Sequence, residues 1–226
     1  MVKKFICQIV AIVCSVVIVL VLILTSIEIV AFDRDFYMEQ YRKNDTAHIA
    51  GATTEQLLGF TDALLLYLKG GRSDLYIRWP DGRYVFSGRE IEHMKDVRQL
   101  FVYGVKLRNI GLFFVIVLIS IMSYVYGRIW TRYLSSTFIA VFAVTLLMAL
   151  LIGVGMMKNF DLMWDRFHHI FFTNDLWILD PSSDILIMMM PGEFFISIIK
   201  VVAGYFVIGM GFLFVTSLLL YRGCKK

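Results

Sequence analysis

Cysteine is scarce in this chain, and the few that occur sit where no disulfide is expected. Of three in 226 residues, Cys7 and Cys14 fall inside the first apolar run and Cys224 in the basic C-terminal tail, so no pair stands in a polar segment to be oxidised. The marks of common catalytic machinery are missing too. There is no GxSxG elbow, and neither long polar segment, 33–106 or 158–193, contains a cysteine to act as nucleophile. No P-loop or GxGxxG offers a phosphate cradle, which argues against nucleotide-driven chemistry. Neither HExxH nor Cys-x-x-Cys spacing sets out a metal site. Internal repeats and low-complexity tracts are absent. Acidic residues are missing from three stretches: the N-terminus, the connection around Arg128 and Arg132, and the C-terminus.

What the chain has instead is apolar length. It is 59% hydrophobic with mean hydropathy +0.74, which places it among membrane proteins. Four runs, Phe5–Val30, Ile110–Tyr126, Leu134–Met157 and Phe194–Tyr221, are long enough to cross about 30 Å of hydrocarbon. Lys3, Lys4, Arg128, Arg132, Arg222, Lys225 and Lys226 fill the three acid-free stretches. The positive-inside rule therefore predicts both termini in the cytoplasm. These signals account for the net charge of +4, leaving no case for nucleic-acid binding. The first apolar core far exceeds the roughly 7–15 residues of a cleaved signal and reads as a retained anchor.

The expected fold class is an α-helical integral membrane protein: four transmembrane helices with a small extracytoplasmic α+β portion. The boundaries predicted are helix 1 at 1–32, an extracytoplasmic segment at 33–107 and helix 2 at 108–127. A cytoplasmic loop follows at 128–133, then helix 3 at 134–157. A second extracytoplasmic segment with an interfacial helix occupies 158–193, and helix 4 with its cytoplasmic tail occupies 194–226. Within 33–107, Thr53 and Gln56 have capping-box spacing, and Gly70-Gly71 marks that helix's end. Leu75–Phe86 alternates around Pro80-Asp81-Gly82 and reads as a β-hairpin. A second box, Ser87 to Glu90, opens a helix that runs toward the second crossing. In the later segment, Trp164, Phe167, His168 and Phe171 share one face of an amphipathic helix near 160–172.

All four histidines, His48, His93, His168 and His169, lie in the two polar segments. His93 and His168 each sit close in sequence to a membrane-helix end, which places both near lipid headgroups. Imidazole is the natural proton carrier at neutral pH. Asp96 follows His93 by three residues and Asp165 precedes His168 by three, so each ring has a carboxylate within helical reach. The alternative is an interfacial histidine satisfied by water. His48, in a polar loop, reads as inert. With Asp96, Asp165, Asp175 and Asp180, two histidines also compose a conceivable metal site, though without a recognised spacing. Lys200, inside the last apolar run, is either functional or a snorkelling cation. Gly204, Gly209 and Gly211 are expected to let helices pack closely.

Two segments, SGREIEHMKDVRQLF at Ser87–Phe101 and FHHIFFTNDLWILDP at Phe167–Pro181, together with the PGEFF entry to the last helix, resemble the lipoprotein intramolecular transacylases of Gram-positive bacteria. The resemblance covers nearly the whole chain in order and topology. It implies that His93 and His168 are catalytic and that no cofactor or metal is used. The substrates implied are diacylglyceryl-modified lipoproteins in a plasma membrane, with membrane lipids around them. The sn-2 acyl chain moves to the lipoprotein's own α-amino group, giving a lyso-form. The active site is then expected at the outer leaflet, with Asp96 and Asp165 orienting the rings. Arg89, Arg166 and Trp177 are placed to hold headgroup-level polar atoms. Two other readings compete: a non-enzymatic sensor or chaperone that binds exported lipoproteins or lipids, and a metal-dependent membrane hydrolase.

Overall fold

The computed structural model describes residues 2–223. Met1, Cys224, Lys225 and Lys226 lie outside the described residues, and with them two of the lysines used to predict orientation. The described residues form helices α1 (Val2–Ala31), α2 (Arg34–Lys43), α3 (Thr46–Ile49), α4 (Thr54–Leu68), α5 (Gly88–Tyr126), α6 (Ile129–Lys158), α7 (Phe160–Phe171), α8 (Ile185–Met189) and α9 (Gly192–Gly223). Four of these, α1, α5, α6 and α9, are long and apolar enough to cross a membrane.

The expected α+β portion is not found: no strand forms among the described residues. At the predicted hairpin, Arg78 and Tyr84 make a lone antiparallel bridge. Trp79 N–H donates to Arg83 O at 2.8 Å and Val85 N–H to Ile77 O at 2.9 Å. The ladder stops there for local reasons. Pro80 has no N–H to donate, and Ile77 N–H turns back to Leu75 O at 2.8 Å. Leu75, Val85 and Phe86 are instead buried among helices. The turn itself is real, with Gly82 at φ 88°, a value glycine accepts without strain.

The chain divides into two compact units. The first comprises residues 2–26, 106–164 and 203–223 and contains most of the apolar helix length. Small side chains set its contacts: Cys7, Ala11 and Met122 form a buried cluster with Val10, Tyr126 and Trp130 against it. Ser15 donates to Ala11 O at 2.8 Å, and its oxygen lies 3.4 Å from Thr137 Oγ1. Of the three glycines expected to permit close packing, only Gly209 does so, since a Cβ there would come within 2.7 Å of Leu22 Cδ1; Gly204 and Gly211 face open space. Outward-facing side chains such as Phe113, Leu150 and Ile208 are apolar and exposed, as hydrocarbon solvent requires.

The second unit, residues 27–105 and 165–202, has an ordinary hydrophobic core. Tyr37, Tyr41, Leu57, Leu75, Met189 and Phe194 lie at its centre. Helix α2 starts where the Asp33 carboxylate accepts the N–H groups of Asp35 and Phe36. The predicted capping box opens α4, with Thr53 Oγ1 accepting from Gln56 N–H and Gln56 Oε1 from Thr53 N–H. Gly70, at φ 82°, then turns the chain out of the helix. Tyr41 and Thr61 join their hydroxyls at 2.7 Å inside the core, satisfying both polar groups where water cannot reach. Helices α2, α3 and α8 were not anticipated from sequence. The last is a single apolar turn buried at Ile185, Leu186 and Met189.

Candidate active site

The Ser87–Glu90 box begins α5, and it also fixes the site. Glu90 Oε2 accepts from Ser87 N–H, Ser87 Oγ from Glu90 N–H, and Glu90 Oε1 from Leu186 N–H at 2.6 Å. Ser87 Oγ also donates to Asp184 Oδ1 at 3.1 Å, while Asp184 Oδ2 accepts from Asp180 N–H at 2.8 Å. Glu90 is almost fully buried, and that burial raises its pKa against the N–H donors from Leu186 and Ser87 that pull it down. The start of α5 and the turn before α8 are thereby joined through one carboxylate pair. Arg89 adds a tie by donating to Asp175 O at 2.7 Å.

One turn past Glu90, His93 points into the unit and is 8% exposed; His168 on α7 is 4% exposed. Their ring centroids are 6.2 Å apart. The neighbouring His169 is exposed, so the structure seats the first of the doubled pair beside His93. Aromatic rings enclose the two imidazoles. Phe172 meets His93 edge-on at 5.3 Å and lies 5.7 Å from His168. Trp177 stacks on His168 at 4.4 Å and 21°, and meets His169 at 5.4 Å.

His93 lies before the apolar run of α5 that starts at Ile110. Burial pushes its pKa down to about 4; the nearby His168 acts in the same direction and Asp96 opposes both. Its ring is therefore neutral at physiological pH. His93 Nδ1 and Trp177 Nε1 are buried without a hydrogen-bond partner among the described residues. Orphaned polar atoms of this kind are uncommon and costly.

The supporting residues fare differently. Asp96 lies near His93, yet its Oδ2 accepts from Asn174 Nδ2 at 2.9 Å. Asp165 and Arg166 are exposed on α7. Arg89 reaches the loop rather than the rings. The metal-ligand candidates do not converge: no group of three His, Cys, Asp or Glu side chains suited to an ion occurs among the described residues. Sequence reasoning missed Phe172, Asn174 and Asp184. The Ser87–Glu90 spacing was the one available signal for the clamp, and it spoke only of a helix start.

A sequence model of the family described as lipoprotein intramolecular transacylase Lit matches residues 12–195. Comparison with curated protein sequences gives no match. Among solved structures, the in meso structure of the membrane integral lipoprotein intramolecular transacylase Lit from Bacillus cereus is similar at TM-score 0.79 and 18% identity, over 98% of this chain and 99% of that one. Two forms of the same Bacillus cereus protein, with a histidine changed to arginine or to alanine, match at TM-scores 0.73 and 0.74 and 18% identity. They cover 99% of this chain and 95% and 97% of theirs. At that identity the structures establish a common fold, while membership rests on the sequence match. The chain belongs to the lipoprotein intramolecular transacylase family and is a multi-pass membrane acyltransferase.

Proposed function

We propose that this enzyme moves the sn-2 acyl chain of a diacylglyceryl-cysteine lipoprotein onto that lipoprotein's own α-amine, using His93 and His168. The observation that carries the reading is the pair of sealed imidazoles 6.2 Å apart. Two imidazoles this close are placed to serve the nitrogen and the oxygen of one small reacting group together. Donor and acceptor share one molecule, and well-placed intramolecular groups reach effective molarities of about 10⁵–10⁸ M. Ester to amide runs downhill, so no energy source or covalent intermediate is required.

The neutral α-amine attacks the ester carbonyl and forms the new C–N bond. His168 takes the proton that nitrogen sheds and returns it to the glycerol oxygen as the C–O bond breaks. Neutral His93, with Nδ1 lacking a protein partner, donates to the oxyanion. Both rings are closed off in this state, so the ester reaches them once covering side chains, Phe172 among them, move aside. Asp96 steadies the surroundings through Asn174. Arg89 and Arg166 remain as the groups for headgroup-level contacts, and Asp165 as an orienting charge on α7. We place the termini in the cytoplasm and the imidazoles at the outer leaflet, on the strength of the acid-free basic stretches.

The test is fragmentation mass spectrometry of a diacylglyceryl lipopeptide incubated with the purified protein. Total mass stays constant while the N-terminal fragment gains one acyl chain. His168→Ala and His93→Ala are each expected to cut conversion by about 10²–10⁴-fold. Full conversion by His168→Ala refutes the assignment.

A further inference from the structure

A buried base faces a difficulty that the proposed proton route leaves unresolved: its charged form loses hydration just when it is made. The surroundings of His168 answer it. The indole of Trp177 lies nearly parallel to the imidazole, at 4.4 Å and 21°. Phe172 stands 5.7 Å away at 33° and Phe167 meets the ring edge-on at 5.3 Å. Aromatic faces carry negative quadrupole charge and attract cations, tryptophan most strongly. Of the two carboxylates at helical spacing from the imidazoles, Asp165 is exposed and Asp96 is held by Asn174.

We propose that Trp177 is a positioning residue whose indole face holds the His168 ring in line and steadies its imidazolium during acyl transfer. The inference rests on His168 being the base. It departs from the headgroup role suggested by sequence, and it divides the cage into a strong face, Trp177, and weaker walls.

The titratable and charged residues within about a turn of the pair on their own helices are Arg89, Glu90, Glu92, Lys95 and Asp96 on α5 and Asp165, Arg166 and His169 on α7. Asp175 stands in the following loop, and Asp184, tied to Ser87, before α8. All are shared by the variants below, so differences among them report the indole. The experiment measures kcat/KM against pH for full-length protein in lipid, with a diacylglyceryl lipopeptide. Trp177→Phe keeps a stacked ring with a weaker face, and Trp177→Leu keeps apolar bulk without one.

Expected rates fall in the order Trp, Phe, Leu, with the Leu variant down by about 2–30-fold. The acid-side inflection belonging to the base moves to lower pH in the same order, by up to about one pH unit. Equal losses in both variants with an unmoved inflection overturn the proposal and reduce Trp177 to packing. If Trp177→Leu fails to fold, as thermal melting reveals, the Phe variant decides alone: an unshifted inflection is fatal and a downward shift supports. Retained activity in His168→Ala instead sinks the base assignment, whatever Trp177 does.

Discussion

His93 titrates in a place that resists its charge. Burial and the neighbouring His168 hold its pKa near 4 in the fold, while an unfolded chain restores roughly 6.5. Between those values the unfolded state binds more protons, so stability is full above about pH 6.5 and is lost as pH falls toward 4. The loss is on the order of 3 kcal/mol. His93→Gln, which cannot titrate, is expected to show a shallower fall in apparent Tm between pH 7 and pH 4.5 than the parent protein in the same nanodiscs. Parallel falls contradict the account. That two histidines from distant segments meet was legible because each lies near a membrane-helix end. Their surroundings were not: helical spacing offered Asp96 and Asp165, but the first accepts from Asn174 and the second is exposed, while Phe172 and Trp177 pack on the rings.

Among the elements, the start of α5 carries the sharpest expectation. Glu90 satisfies N–H groups on two segments through separate oxygens, and an amide offers only one acceptor. Glu90→Gln is therefore expected to cost about 1–3 kcal/mol and to raise protease cleavage between residues 173 and 184. Ser87→Ala, a lost cap, is expected to cost about 1 kcal/mol. Thermal melting ranks the two, and equal effects mean that Leu186 gains nothing from the carboxylate. Helix caps were readable because their geometry is local, as at Thr53 and Gln56. The failed hairpin shows where local reading stops. Alternation at Leu75–Phe86 reflects side chains inserted into a helical core, and the same pattern serves a bent loop as well as a strand. Helix α8 was hidden for a related reason: five apolar residues are too few to display a period.

For the whole molecule, the basic stretches without acids make a prediction about sides. In a variant freed of native cysteines, Asp81→Cys should react with a membrane-impermeant maleimide in intact cells, and Arg128→Cys only after permeabilisation. The opposite labelling inverts the topology. Lipid crossing was legible from apolar length alone, whereas the helical core of the second unit emerges from pairings between segments far apart in sequence, which no short window contains.

That distance has a consequence for biosynthesis. Glu90 and the Leu186 N–H that it accepts are 96 positions apart. A ribosome adding about 5–20 residues per second finishes one about 5–20 s before the other exists. Throughout that interval the nascent protein carries His93 without its clamp, and for most of it without a second imidazole. If both imidazoles are needed as proposed, unfinished chains remain inert toward the lipids they are being threaded into, and competence arrives only as the final helix is begun.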